Sequence, residues 1–249
     1  MKKFICVILA LLMSVAVLFT GCGDNVTGGV VDVSGADDSN EVVLSDNKIE
    51  EGETTVEENL GIGVETFLSG KYYLEGVVYS EGEAMPVLLA TDGTNYQFTA
   101  NYSGIAFGML ILDGSTYVVL PKTNQYTELS DTLIKALDLD SGLSVNDFQI
   151  IVDEGNDNST ASLSQYSVTI NGDAGLCTVY TFEDSEFKLY SIGDKLIQIE
   201  NYDKDGTMIM QIVVDELTAQ IPADQLTLNG LEKASVTSFI QSFISSASL

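Results

Sequence analysis

The chain has no histidine, no tryptophan and no arginine, and only three cysteines and three prolines in 249 residues. Each absence removes a class of function. Without histidine there is no ordinary catalytic triad, no common zinc site and no side chain that titrates by default near neutral pH. Without arginine there is no bidentate clamp for phosphate or carboxylate. Ten lysines face 37 acids, a net charge of −27, so nothing neutralises a nucleic-acid backbone and nucleic acid is excluded as a partner. Side-chain adhesion to an anionic bilayer is disfavoured for the same reason. The acids leave carboxylate-pair hydrolysis formally open. No nucleophile–base pairing is visible, however, and the sequence reads as that of a non-catalytic protein with no cofactor and no metal site.

Against this background the first 22 residues stand out. Lys2 and Lys3 precede an apolar run from Phe4 to Phe19 that only Ser14 interrupts, and Thr20-Gly21-Cys22 follows. A basic start, an apolar stretch and small residues at a cut site describe an export signal. Leu18-Phe19-Thr20-Gly21-Cys22 is similar to a bacterial lipobox, with Phe19 bulkier than the usual aliphatic. The expectation is cleavage after Gly21, residues 1–21 leaving as signal peptide, and lipidation of the Cys22 thiol. Two or three acyl chains anchor stably, since each buried methylene adds about 0.8 kcal/mol. The chain is then lipid-anchored on the outer face of a bacterial cell membrane. An uncleaved membrane helix is the competing reading, at the short edge of what spans a bilayer. Cleavage leaves eight lysines against 37 acids, and Cys177 as the one thiol. In the apolar run Gly175-Leu176-Cys177-Thr178-Val179 it reads as a buried, inert residue.

Residues 22–59 are rich in Gly, Ser, Thr, Asp and Glu, with 11 acids against Lys48 alone. Low hydrophobicity and high charge predict a disordered acidic tether, which as a flexible coil spans about 35 Å. Residues 60–249 are ample for a packed core. Helical spacing of Leu60, Val64, Phe67 and Leu68 predicts an opening helix over 56–68, although Gly61 and Gly63 lower its propensity.

Strand patterns follow over 71–80, 84–91, 94–101, 105–112 and 115–120. Asp92-Gly93 and Asp113-Gly114 sit between apolar runs as hairpin turns. Pro121 closes this meander. Ser130 caps a short mid-chain helix carrying Leu133, Ile134 and Leu137. Further strands are expected over 145–152, 161–170, 176–182, 187–192, 196–202 and 207–214. The segment 235–247 carries Val236, Phe239, Ile240, Phe243 and Ile244 at helical spacing. The fold class is therefore α+β: an antiparallel curved sheet of about ten strands with N-terminal, mid-chain and C-terminal helices.

One strand, 196–202, alternates as a half-wet strand should, with Gln198 and Glu200 opposite Ile197 and Ile199. Two others do not. Ile105–Leu112 is apolar on both faces, and Met208, Met210, Ile212 and Val214 share a face opposite Ile209, Gln211 and Val213. Either the sheet is covered on both sides or one side lines an apolar interior. Phe98, Phe107, Met109, Met208 and Met210 are the candidate wall residues of such an interior, methionine suiting an adaptable apolar lining.

The order of elements, with "GKYYLEGVV", "PVLLATDGTNYQF", "GMLILDGSTYVVLPKTNQYTEL" and, near the end, "VVDELTAQIPADQLTL", resembles the LolA-, LolB- and LppX-like superfamily of periplasmic and surface lipoproteins. That resemblance covers most of 60–249. It implies an unclosed half-barrel wrapped around helices, with a hydrophobic cavity for acyl chains. The arginine that some of these carriers place in the cavity has no counterpart here. The expected function is an anchored surface lipoprotein that binds a lipid or other apolar ligand. The alternative is a cell-envelope module with a fully packed core that presents a tyrosine-bearing surface to a protein or glycan.

Three other motifs carry less. Asp203-Lys204-Asp205-Gly206-Thr207 places its glycine fourth, not sixth as a calcium loop requires, and reads as a hairpin turn. Asp153–Asp157 reads as a solvated loop tip with at most weak calcium affinity. Gly61-Ile62-Gly63 lacks the third glycine and the preceding strand of a phosphate cradle.

Overall fold

The computed structural model describes residues 47–54, 60–80, 83–102, 104–130, 162–182 and 185–247. The signal peptide, Cys22 and most of the tether lie outside them, as do the expected mid-chain helix, the 145–152 strand and the Asp153–Asp157 loop.

The described residues form one 13-stranded sheet, ordered β1-β8-β9-β10-β11-β12-β2-β3-β4-β5-β6-β7-β13. The first half of the sheet is a meander: β2 (Tyr72–Ser80), β3 (Glu83–Thr91), β4 (Tyr96–Tyr102), β5 (Ile105–Leu112), β6 (Ser115–Leu120) and β7 (Gln125–Leu129). The second is β8 (Ser162–Ile170), β9 (Asp173–Thr181), β10 (Ser185–Ile192), β11 (Lys195–Asp203) and β12 (Met208–Thr218). Antiparallel pairing of β12 with β2 joins the halves. At this seam Gly76 has no room for a side chain, since a Cβ there would meet the Val213 carbonyl oxygen at 2.2 Å.

The turns follow local chemistry. Asp113 and Gly114 both take positive φ, 50° and 78°, the geometry that matches a two-residue hairpin to strand twist. Asp92 accepts bonds from the backbone N–H groups of Thr94 and Asn95 at 2.9 and 2.7 Å. Asp203 Oδ1 is occupied in the same way by the N–H groups of Asp205 and Thr207, so the 203–207 segment is the hairpin turn its composition implies.

Three strands exceed the expected count. β1 (Ile49–Thr54), inside the stretch 22–59 expected as a tether, pairs with β8. Asn47 and Lys48 are also fixed: Asn47 Nδ2 donates to Gln198 Oε1 at 3.0 Å, and the Lys48 N–H donates to Asn171 Oδ1 at 2.9 Å. β7 follows Pro121, where the meander was expected to close. Pro121–Thr123 forms a single 3-10 turn, Asn124 takes φ 52°, and the chain returns along β6. β13 (Glu232–Lys233) adds a two-residue parallel edge to β7.

Two helices are described. The first, α1 (Ile62–Leu68), is shorter than the expected 56–68 because Gly61, at φ 74°, is its N-cap. Gly63 serves close approach: its N–H donates to the Asp194 carbonyl at 2.8 Å, and a Cβ would lie 2.5 Å from the Leu196 nitrogen. The second, α2 (Val236–Ala247), is capped by Ser235 Oγ, which accepts from the Ser238 N–H.

Both helices pack on one face of the sheet, called inner below. Val64, Phe67 and Leu68 of α1 and Phe239 of α2 share a cluster with Leu74, Val78, Leu89, Phe107, Leu189, Ile199 and Ile212. Each large side chain so buried contributes about 1.5–3 kcal/mol. The opposite, outer face is also partly covered, which explains the doubly apolar β5. Leu110, on that face, is 1% exposed. Its cross-strand partner Gln97 holds the stretch 219–231 above it: Gln97 Nε2 donates to Gln225 Oε1 at 2.7 Å, and the Leu226 N–H donates to Gln97 Oε1 at 2.7 Å.

Candidate functional site

Strand alternation and register assemble a continuous apolar row on the inner face. Leu217, Leu74, Leu89, Phe98, Met109, Val118 and Thr127 are successive cross-strand partners from β12 through β7. Leu74 and Leu89 are buried beneath the helices, whereas Phe98, Met109 and Val118 remain half-buried. Ile105 and Ile111, also half-buried, flank Met109 on β5. The inner face is thus closed at its centre and partly open over β4–β6.

The expected wall residues divide accordingly. Phe98 and Met109 are direct cross-strand partners. Phe107 stands two residues from Met109 on the same face and is buried in the main cluster. Met210 also joins that cluster, but on β12, with β2, β3 and β4 between it and β5. Met208 does not continue the row of Met210. The register shifts between Asn201 and Tyr202, so Met208 pairs with Tyr202 and Ile209 protrudes. Val118 and Leu217 complete the row and were not singled out from the sequence; their spacing is that of any apolar strand residue.

The outer face carries a polar cluster where a wet face was expected. Gln198 and Glu200 are 1% and 6% exposed. The Glu200 carboxyl receives four hydrogen bonds. Tyr190 Oη and Tyr202 Oη donate to Oε2 at 2.9 and 2.7 Å, and Gln198 Nε2 and Gln211 Nε2 donate to Oε1 at 2.8 and 3.1 Å. Lys188, the cross-strand partner of Glu200, lies with its ammonium 4.9 Å from the centre of the Tyr202 ring. Burial raises the pKa of Tyr190 and Tyr202, with the Glu200 charge adding to it. Cys177 sits in the apolar cluster beside these groups, and desolvation pushes its thiol up to about 12. Both oxygens of Glu200 are committed to structural donors, and the thiol is held in its protonated, unreactive form.

Of the tyrosines that a tyrosine-bearing surface would draw on, Tyr72 and Tyr73 are buried. Tyr117 and Tyr126 meet edge to face, 5.7 Å apart at 77°. Among the described residues no group of three acids or thiols has metal-ligand geometry, and no helix is long and apolar enough to cross a membrane.

No family model and no curated protein matches the chain. Solved structures do. In the MucA/MucB complex of Pseudomonas aeruginosa, the match has 14% identity and a TM-score of 0.39, covering 65% of this chain and 57% of that one. A putative outer membrane lipoprotein-sorting protein domain from Vibrio parahaemolyticus matches at 11% identity and TM-score 0.29, over 63% and 87%. A LolA superfamily protein from Nitrosomonas europaea matches at 9% identity and TM-score 0.29, over 68% and 97%. The chain spans less than two thirds of the matched chains in the MucB structures. These are likenesses of fold, and LolA-type structures are among those the chain is similar to.

Proposed function

We propose that this chain is a non-catalytic surface lipoprotein, anchored through Cys22, that binds a lipid or other long apolar molecule on the inner face of its curved sheet. The half-buried row Phe98–Met109–Val118 carries the reading. Three adjacent strands there leave apolar side chains partly open beside a helix-covered core. A face that served only as core would gain by covering them, since each square ångström of apolar surface removed from water contributes about 25 cal/mol. An extended apolar ligand removes that surface without changing the fold.

The test is extraction of the purified full chain with organic solvent, followed by mass spectrometry, for the wild type and Met109→Arg. Met109 is half-buried, so the arginine head can reach solvent in the empty protein while obstructing the face. The expected result is an apolar ligand recovered from the wild type and lost from a folded Met109→Arg protein. Equal recovery from both, or none from either together with no binding of added lipid, opposes the reading.

The second reading, an envelope module that docks a protein or glycan, draws on Tyr117 and Tyr126. Their half-buried rings face away from the core, on the outer face of β6 and β7. Failure of Tyr117→Ala with Tyr126→Ala to change any pull-down from envelope extracts opposes it.

A further inference from the structure

The partly open part of the inner face lies at one end of its strands. Rows of cross-strand partners stack along β4, β5 and β6. Ala100 and Phe107 are partners, buried in the main cluster together with Leu120 of β6. Phe98, Met109 and Val118 form the next row, half-buried. Tyr96, Ile111 and Thr116 form the third, also half-buried, and all three strands end within one residue of it. The face is therefore closed at its Phe107 end and open at the end that carries the 92–95 and 113–114 turns. A long apolar molecule seated here places its tail toward Phe107 and its polar end at those turns.

The turns make that end acidic. Asp92 Oδ1 accepts the Thr94 and Asn95 N–H groups, and Asp92 Oδ2 accepts from Asn95 Nδ2 at 2.9 Å. Asn95 Oδ1 in turn accepts the Asp113 N–H at 3.0 Å, so one asparagine ties the two turns together. Desolvation works against the charge on Asp92, but the bonds from Asn95 and Thr94 outweigh it and hold its pKa below the usual carboxylate value. Asp113 is exposed, two residues and about 7 Å along the chain from Ile111. Lys71 brings one ammonium to this end: its Cε stands 3.3 Å from where a Gly93 Cβ would be. Two carboxylates against one ammonium leave the opening negative, in a chain of net charge −27.

A negative end group at the turns is repelled and a positive one attracted, over distances inside the Debye length. Such repulsion discriminates between ligands that share the same apolar body. We infer that Asp92 and Asp113 make the inner face selective by charge: it takes a long apolar molecule whose polar end is uncharged or cationic, and rejects one that ends in a carboxylate or phosphate. This rests on the apolar-ligand reading above and narrows its ligand class.

The test uses three probes of equal chain length, tetradecyltrimethylammonium, 1-tetradecanol and tetradecanoate. Each competes at pH 8, below its micelle-forming concentration, against an uncharged fluorescent acyl probe on the full chain. The wild type is expected to bind both the ammonium and the alcohol more tightly than the carboxylate. The ratio of ammonium to carboxylate affinity should be about fivefold at low salt and fall to within about twofold near 0.5 M salt. Asp113→Asn should lower the low-salt ratio to about twofold; asparagine tolerates the positive φ of this turn, so the hairpin is kept. Asp173→Asn, in a turn seven strand positions from β5, removes the same charge from the chain and should leave the ratio unchanged. A carboxylate bound as tightly as the ammonium overturns the inference and leaves the apolar-ligand reading standing. An equal fall in Asp113→Asn and Asp173→Asn overturns it too, because the net charge of the chain then sets the preference. Binding of no probe by the folded wild type overturns both.

Discussion

Replacing Glu200 with alanine removes the shared acceptor of four donors. Three of these, on Gln198, Gln211 and Tyr190, are buried; Tyr202 is half-buried and its hydroxyl can turn to water. An orphaned buried donor costs about 1–3 kcal/mol. Glu200→Ala is therefore expected to destabilise by about 3–6 kcal/mol after local relaxation, a large share of the roughly 5–15 kcal/mol that holds a domain folded. Glu200→Gln keeps the shape but turns one acceptor into a donor, leaving two of the four bonds without an acceptor, for about 2–3 kcal/mol. Tyr202→Phe removes one donor and leaves the other three bonds, for about 1 kcal/mol. Urea unfolding followed by far-UV circular dichroism measures all three, and the order Ala, Gln, Phe is as diagnostic as the sizes. A loss below about 0.5 kcal/mol for Glu200→Ala, the usual size for a surface site, refutes the reasoning. It would mean that Glu200 faces water, as strand alternation alone implies.

Three further outcomes follow from the same structure. The Cys177 thiol, raised to about 12, should resist a thiol reagent at pH 8 in the folded chain and react within minutes once urea unfolds it. Tyr72, Tyr190 and Cys177 all have raised folded pKa values, so the unfolded chain releases these protons first. These groups add no pH dependence below about pH 8, and above it stability should fall by up to roughly 1.4 kcal/mol per pH unit for each group; a urea midpoint unchanged between pH 8 and pH 10.5 contradicts this. Deleting residues 1–59 should destabilise by about 2 kcal/mol or more relative to deleting 1–46, because it strips β1 from β8 and removes the bond that Asn47 Nδ2 donates to the buried Gln198. Equal urea midpoints would show that β1 adds nothing.

The parts of the fold legible from sequence are those that local chemistry decides. Asp113-Gly114 and Asn171-Gly172 take positive φ at both positions, and the hairpins they join were placed within a few residues. The helix at 236–247 follows its apolar spacing. What escaped is set by distant partners. β1 is Ile-Glu-Glu-Gly-Glu-Thr, too acidic to look like a strand until β8 offers it an edge. β7, Gln-Tyr-Thr-Glu-Leu, lacks an apolar stripe because only Thr127 and Leu129 turn into the core. Gln198 and Glu200 have the alternation of a wet strand, and nothing local reveals that tyrosine and glutamine from β10, β11 and β12 enclose them. The candidate face was half legible. Phe98, Phe107 and Met109 do converge, but the register shift beside Met208 arises only when β11 and β12 are brought together.

The account's central claim is that the inner face takes up an apolar ligand, and titration of an environment-sensitive acyl probe into the full chain, with competition by native lipids, tests it most directly. The account predicts saturable binding near one probe per chain, displaced by competing lipid and lost in Met109→Arg while the circular dichroism spectrum is unchanged. No saturable binding to a demonstrably folded wild-type chain would contradict it and make the inner face plain core.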